Sequence, residues 1–399
     1  MARSLSSSYI LSSNSLQSSS DAARFPLQLK SNLMANRRRR LTRSLSRNIV
    51  IGSAVLSGAG LAASAGVIAG LGLAYWGFRR ARRFNLSGRT VVITGGSRGL
   101  GLALARGFLA REARVALLAR DPEELRRAQE HLGGMGQVFV RSCDVRNEKQ
   151  IDEALEEVRQ QFGAIDVLVN NAGTITVGPM DTMTADEYRE ALDIFFWAPL
   201  YTTFAVLPEM RSRRSGRIIN ISSIGGKISV PHLLPYSVGK FALAGFSEGL
   251  RAELSKDNVY VTTVYPGLMR TGSPRNADFK GKHRAEYTWF VLSDAAPGLS
   301  INADRAAEKI VHACEHGTAE LIISLPAKLA IKAHQMFPAI SSLALAVVAK
   351  ALPAPGEIGK GKAKGAESET AVTESWLTAL DRRAAKRNNQ LPGPVAVNP

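Results

Sequence analysis

Thr94-Gly95-Gly96-Ser97-Arg98-Gly99-Leu100-Gly101 follows the β-branched run Val91–Thr94 and opens a helical stretch. Glycines in such a loop let the backbone turn tightly and approach a pyrophosphate, which then rests on the N–H groups at the helix start. The strand, loop and helix stand in the order this reading requires. Gly95, Ser97, Arg98, Gly99, Leu100 and Gly101 are therefore candidate dinucleotide-binding residues.

The next β-rich run ends Ala116-Leu117-Leu118-Ala119-Arg120. A site for NAD wants an acid at its end to bind the ribose 2′-hydroxyl, and here the position holds Ala119. Arg120 follows, and Arg98 lies in the glycine loop. Two guanidiniums at one locus suit a 2′-phosphate, so the expected dinucleotide is NADP(H). Asp121 reads as the N-cap of the following helix, with Pro122 at its first position.

From Arg89 to about Ser324 the pattern continues as alternating units. Short runs at Val91–Thr94, Val115–Leu118, Val138–Val140, Val167–Asn170, Arg217–Ile221, Val259–Val264 and Leu321–Ile323 alternate with longer helical stretches. Such runs predict an α/β fold: a doubly wound, seven-stranded parallel sheet with helices on both faces, over residues 86–325.

Tyr236 and Lys240 stand four residues apart in Pro235-Tyr236-Ser237-Val238-Gly239-Lys240, with Ser223 thirteen residues upstream. Helical spacing of four places the phenol and the ammonium on one face. An ammonium beside a phenol favours phenolate, which brings the group into working range for proton transfer. A serine hydroxyl at a strand end could orient a substrate oxygen.

These pieces together resemble the short-chain dehydrogenase/reductase family. The matching elements run in the family's order: the T-G-x-x-x-G-x-G loop at 94–101, Asp144-Val145, Asn170-Asn171-Ala172-Gly173, Ser223, Tyr236 with Lys240, and Pro266-Gly267 with Thr271. The resemblance implies a Rossmann fold and an oxidoreductase acting on carbonyl/alcohol pairs. Asp144 and Val145 would contact adenine, and Asn171, Ala172 and Gly173 would line the cofactor. Tyr236 would be the proton donor or acceptor. Lys240 would lower its pKa and hold the nicotinamide ribose, and Ser223 would hold the substrate oxygen. Pro266, Gly267 and Thr271 would embrace the nicotinamide end. A homodimer formed through the helices after Phe195 and Tyr236 is also implied.

One departure stands out. The family's asparagine before the fifth strand falls on Phe195 here. In the family that asparagine's main-chain carbonyl is thought to hold a relay water to the lysine, and Phe195 keeps the carbonyl. Pro199, four residues on, has no N–H to occupy it, so the water site is expected to survive by backbone means. A holo structure without an ordered water on that oxygen would exclude the relay. The plainer reading is that Phe195 and Pro199 only shape an apolar pocket.

On the substrate side, the loop Leu268 to Ser300 carries Met269, Phe279, Tyr287, Trp289, Phe290 and Leu292, and Val230, Pro231, Leu233 and Leu234 precede the tyrosine. An apolar mouth suits a lipophilic ketone, aldehyde or alcohol. His232 and His283 read as plain surface or pocket residues. No metal-binding spacing is present.

The net charge of +17 has a local origin. Residues 1–90 hold 14 Lys and Arg against the single acid Asp21, and the remaining 309 residues carry only +4. The excess hugs an apolar segment, which argues against a nucleic-acid partner. Residues 1–48 read as disordered, Ser-rich and basic, and residues 1–33 as a targeting peptide or an over-extended start before Met34. Residues 49–78 are thirty without a charge, longer than the roughly 20 needed to span a bilayer. Arginines flank both ends, Tyr75 and Trp76 sit near one interface, and Gly58, Ala62, Gly66, Gly70 and Ala74 form a small-residue ridge. This predicts a single transmembrane helix, with the catalytic domain placed on the cytoplasmic side. Cys143 and Cys314 show no disulfide framework and suit a reducing compartment. Residues 326–353 read as an apolar helical pair, either a lid or a membrane-surface element. Residues 354–399 read as linker and tail, with a short helix over 373–386. Two rivals to the enzyme are a non-catalytic NADP(H)-binding redox sensor and a membrane scaffold on the same fold.

Overall fold

The computed structural model describes residues 83–296 and 298–391, together with Gly70 and Gly77. The basic N-terminus 1–48 and, apart from those two glycines, the apolar run 49–78 lie outside the described residues. The unit from Gly77 onward holds the sheet and the candidate site.

Seven strands form one parallel sheet: β1 (Thr90–Thr94), β2 (Arg114–Ala119), β3 (Val138–Ser142), β4 (Val167–Asn170), β5 (Gly216–Ile221), β6 (Val259–Pro266) and β7 (Glu320–Ile323). Their order is β7-β6-β5-β4-β1-β2-β3, so the winding reverses between β1 and β4. Sheets of this kind bind ligands outside the strands' carboxyl ends at that reversal.

Helices cover both faces: α1 (Gly99–Leu109), α2 (Pro122–Leu132), α3 (Glu148–Phe162), α4 (Ala185–Leu192), α5 (Ala198–Ser212), α6 (Leu234–Leu254), α7 (His283–Ala295) and α8 (Ala303–Glu315). Alternate strand residues feed opposite cores, as a two-residue period demands. Val91, Ile93, Val115 and Leu117 meet α1, α2 and α8. Val92, Ala116, Leu118 and Leu168 meet α3, α5 and α6. As expected, Asp121 caps α2, its carboxylate accepting from the N–H groups of Glu123 and Glu124. The continuous helical run Ala185–Ser212 is long and apolar enough to cross a membrane, yet it is α4, a π turn and α5, partly buried in the domain.

The C-terminal third departs from expectation. Helices α9 (Leu325–Met336) and α10 (Pro338–Ala351) form the anticipated pair, broken at Phe337-Pro338. No residue of α10 is buried, and Leu325, Leu329, Met336, Phe337, Ile340, Leu343 and Val347 are all exposed. Residues 354–391, read as linker and tail, are instead held on the domain. Ala363–Lys364 pairs antiparallel with Asp278–Phe279, and Ser368, Thr378, Asn388 and Asn389 are almost fully buried. Side-chain and backbone hydrogen bonds, rather than apolar periodicity, fix this strap, which includes α11 (Ala379–Arg387).

Candidate active site

Ser223 follows β5, and its Oγ accepts from the Gly225 N–H at 3.0 Å. Tyr236 and Lys240 project from α6 one turn apart. A β-carbon on Gly225 would lie 3.0 Å from Tyr236 Cε1 and 3.5 Å from Ser223 Oγ. The phenol and the serine therefore meet across a residue that must be small.

The acidity of the pair is set by burial. Loss of solvent pushes the Tyr236 phenol up to about 12; a hydrogen bond with Ser223 opposes this, and the Asp294 carboxyl adds to it. Burial also pulls Lys240 down to about 7. The Lys240 ammonium donates to the Ile221 carbonyl at 2.7 Å. It lies 4.0 Å from the Phe195 ring centroid and 5.6 Å from that of Tyr236. Desolvation is thus the first influence on the phenol, and the Ser223 hydrogen bond is what opposes it.

Phe195 is the hub of the site. It lies in a π turn, Asp193–Trp197, where the Ala198 N–H bonds the Asp193 carbonyl. Pro199 cannot supply the N–H that an α-helix would aim at the Phe195 carbonyl, a physical reason for the local widening. The Phe195 ring meets Tyr236 edge-on at 5.3 Å. Gly173 and Gly239 make room for it: their β-carbons would come within 2.5 and 2.9 Å of the ring.

The glycine loop is equally tight. A β-carbon on Gly101 would lie 2.1 Å from the Gly95 carbonyl oxygen, and one on Gly95 would lie 2.8 Å from Ala172 Cα. Thr94 Oγ1 accepts from the N–H groups of Asn171 at 3.0 Å and Ala172 at 3.1 Å. Asn171 Nδ2 donates to the carbonyls of Thr94 and Gly95. Leu100 is buried behind the loop. Arg98, expected to face a phosphate, is paired with Glu124 of α2 at 2.5 Å, and the Ser97 hydroxyl donates to the same carboxylate. Arg120 is exposed beyond β2. Asp144 is bound by Arg146, whose hydrogen bonds hold its carboxyl below the usual range, and Val145 is buried in the second core. Pro266 ends β6, and the Gly267 N–H donates to the Ile323 carbonyl. Thr271 Oγ1 donates to Ser273 Oγ at 2.8 Å.

Several site neighbours other than Asn170 had no sequence signal. A buried polar chain runs from Thr202 through Asn170 and Asn220 to Ser247 and Thr263, with links of 2.7, 2.9, 3.0 and 2.6 Å. Asp294 is buried near Tyr236, and its carboxyl is pushed well up by burial and by Asp381. The aromatic mouth also needs correction. Phe279 is fully buried and packs edge-on against Tyr287 at 5.3 Å and Phe290 at 6.0 Å, so these rings form a small third core behind Tyr236. His232 is no plain residue either. It bonds the buried Glu286 at 2.8 Å, which also accepts from Trp289 Nε1.

Residues 89–280 match the family model for short chain dehydrogenase. A putative oxidoreductase, SadH, of Mycobacterium tuberculosis is 32% identical over 273 residues, 67% of this chain and 98% of that protein. Dehydrogenase/reductase SDR family member 7B of Mus musculus is 37% identical over 197 residues, covering 48% of this chain; the match spans only 61% of the mouse protein. L-Sorbose reductase of Gluconobacter frateurii, solved with NADPH and L-sorbose, superposes with a TM-score of 0.54 at 28% identity, over 61% of this chain and 97% of that one. The chain belongs to the short-chain dehydrogenase/reductase family.

Proposed function

We propose that the protein is a membrane-anchored, NADP(H)-dependent reductase of a lipophilic ketone or aldehyde. The observation that carries this reading is the meeting of Ser223, Tyr236 and Lys240 at the carboxyl edge of the sheet, beside a glycine loop at the winding reversal. The residues suit the dinucleotide. The Gly99 N–H at the start of α1 donates outward from the helix, to a carbonyl of another segment. Ala119 brings no carboxylate to the end of β2, and Arg98 and Arg120 flank that position. Gly95, Ser97, Arg98, Gly99, Leu100, Gly101 and Arg120 would hold the phosphate end. Asp144, Val145, Asn171, Ala172 and Gly173 would line the middle, and Tyr236, Lys240, Pro266, Gly267 and Thr271 the nicotinamide end. The bound dinucleotide supplies the hydride.

The chain's own residues handle the proton. A phenol pushed up to about 12 stays protonated at neutrality and is poised as a general acid toward a developing alkoxide. Ser223 Oγ orients the same oxygen. Lys240, pulled down to about 7, moves readily between charged and neutral forms, as a proton relay requires. Pro199 brings no N–H to the Phe195 carbonyl, which suits a relay water on that oxygen.

The direct test is a panel of lipophilic ketones and aldehydes with NADPH and NADH. NADPH should be preferred, and Arg98→Ala with Arg120→Ala should raise its KM about 10–100-fold while moving NADH little, the size expected for losing two phosphate contacts of about 1.5–3 kcal/mol in total. A double variant with an unchanged NADPH/NADH ratio would remove the 2′-phosphate assignment.

The membrane reading rests on the thirty uncharged residues 49–78 and on the exposed apolar pair α9–α10. No acid occurs from Leu321 to Gly356, and Lys328, Lys332 and Lys350 lie along it, a pattern suited to an anionic lipid surface. The exposed Trp197 of the π turn, Phe204 on α5 and Phe241 on α6 suit a self-complementary dimer face. Full-length protein should sediment with membranes in high salt and behave as a dimer once extracted in detergent. Release by salt alone, or a detergent-extracted monomer, would remove the respective part.

A further inference from the structure

The strap reaches the two lips of the dinucleotide cleft. At the glycine loop, the Asn388 carbonyl accepts from the Gly99 N–H at 2.8 Å. Asn389 Nδ2 donates to the carbonyls of Ser97 and Glu124, both at 2.9 Å, and its Oδ1 accepts from Arg127 at 3.0 Å. Arg106 holds Asn388 Oδ1 at 2.7 Å, and Arg387 pairs with Asp304 at 2.8 Å. At the opposite lip, one residue beyond Thr271, the Gly272 N–H donates to Asp381 Oδ1 at 3.1 Å. Ala385 presses so closely there that a β-carbon on Gly272 would lie 2.4 Å from Ala385 Cα. Asn276 Nδ2 donates to Gln390 Oε1 at 2.6 Å, closing the bridge.

These contacts use the atoms that a dinucleotide needs. The N–H at the start of a helix is a donor for phosphate, and here a chain carbonyl takes it. A β-carbon on Gly99 would meet Gln390 Nε2 at 2.8 Å, so the strap lies directly on the loop. Asn388, Asn389 and Gln390 bury their amide side chains, and all three find partners, so the fit is specific rather than a loose contact.

We propose that Ala379–Gln390 is an intramolecular competitor of the dinucleotide: NADP(H) gains the cleft only when the strap leaves Ser97, Gly99 and Gly272. This rests on the dinucleotide reading of the cleft. A ligand that binds only the open form loses affinity in proportion to the fraction closed.

The test uses the full-length chain in detergent. NADPH affinity is measured for the unmodified chain and for Arg387→Ala/Asn389→Ala, which removes the Asp304 pairing and the three Asn389 hydrogen bonds. The double variant should bind about tenfold tighter. Independently of any variant, saturating NADPH should speed tryptic cleavage at Arg382, Arg383, Lys386 and Arg387 of the unmodified chain. Equal or weaker NADPH binding by the variant, or cleavage slowed by NADPH, overturns the competitor, the latter meaning that the strap closes over the nucleotide instead. If neither protein binds NADPH, the dinucleotide reading itself falls and the strap proposal with it.

Discussion

Tyr236→Phe is expected to lower kcat for carbonyl reduction about a thousandfold, with NADPH binding and thermal stability retained. General acid catalysis by a positioned side chain contributes typically 10²–10⁴-fold. The substitution removes only the hydroxyl. The ring keeps its edge-on contact with Phe195 and its place above Gly225. The loss should therefore fall on kcat rather than on the substrate's KM. Single-turnover rates with NADPH and the best substrate of the panel would measure it. Activity within tenfold of the unmodified protein would mean that another group delivers the proton, and the buried Asp294 would be the first alternative to examine.

Lys280→Ala is expected to cost about 3–5 kcal/mol of stability, the largest effect of any single change away from the proton-transfer residues. Lys280 is fully buried and donates to Glu187 at 2.7 Å, and Glu187 is itself 5% exposed. Burial works against ionisation of Glu187, but hydrogen bonds from Lys280 and Thr184 outweigh it and hold the carboxyl down at about 2. Removing the lysine leaves a buried charge without its main partner, the costly way to break such a pair. Thr184 and Lys362, the latter at 3.6 Å, remain as partial compensation, so the lower end of the range is favoured. The depressed carboxyl also fixes the sign of the pH dependence. A carboxyl whose folded pKa is lowered contributes stability above its ordinary value of 4.5, lost as pH falls toward 2. The penalty of Lys280→Ala should thus be largest above pH 4.5 and shrink as Glu187 protonates. Thermal melts of the two proteins at about pH 7 and about pH 4 would test this; a penalty that grows on acidification would refute it. Lys280→Ala/Glu187→Gln should recover part of the loss, because it removes the orphaned charge.

The sheet was legible because its inner strands are buried on both faces, and β-rich runs such as Val91–Thr94 and Val259–Val264 admit few other readings. Ser223, Tyr236 and Lys240 were legible because their spacing is chemical as well as structural. Pro199 foretold that the Phe195 carbonyl lacks its α-helical donor, but not that the helix widens there into a π turn. The phenol's acidity was not legible. The spacing of four brings Lys240 near, but only the fold reveals that desolvation dominates and that the ammonium rests on the Ile221 carbonyl and the Phe195 ring. The aromatics of the 268–300 loop misled for a related reason: Phe279 and Tyr287 are apolar whether they line a mouth or fill a core. Asn388-Asn389-Gln390 carried no signal, because polar amides flanked by a proline look like a solvated end until their individual partners are known.

Asn389 meets Ser97 across 292 residues of chain. During synthesis from the N-terminus, the glycine loop and all seven strands have left the ribosome before the segment that covers them exists. The Rossmann core is thus free to fold before the strap exists, and a nascent chain that does so presents its cleft open. Order of translation gives the nucleotide the earliest claim on Gly99.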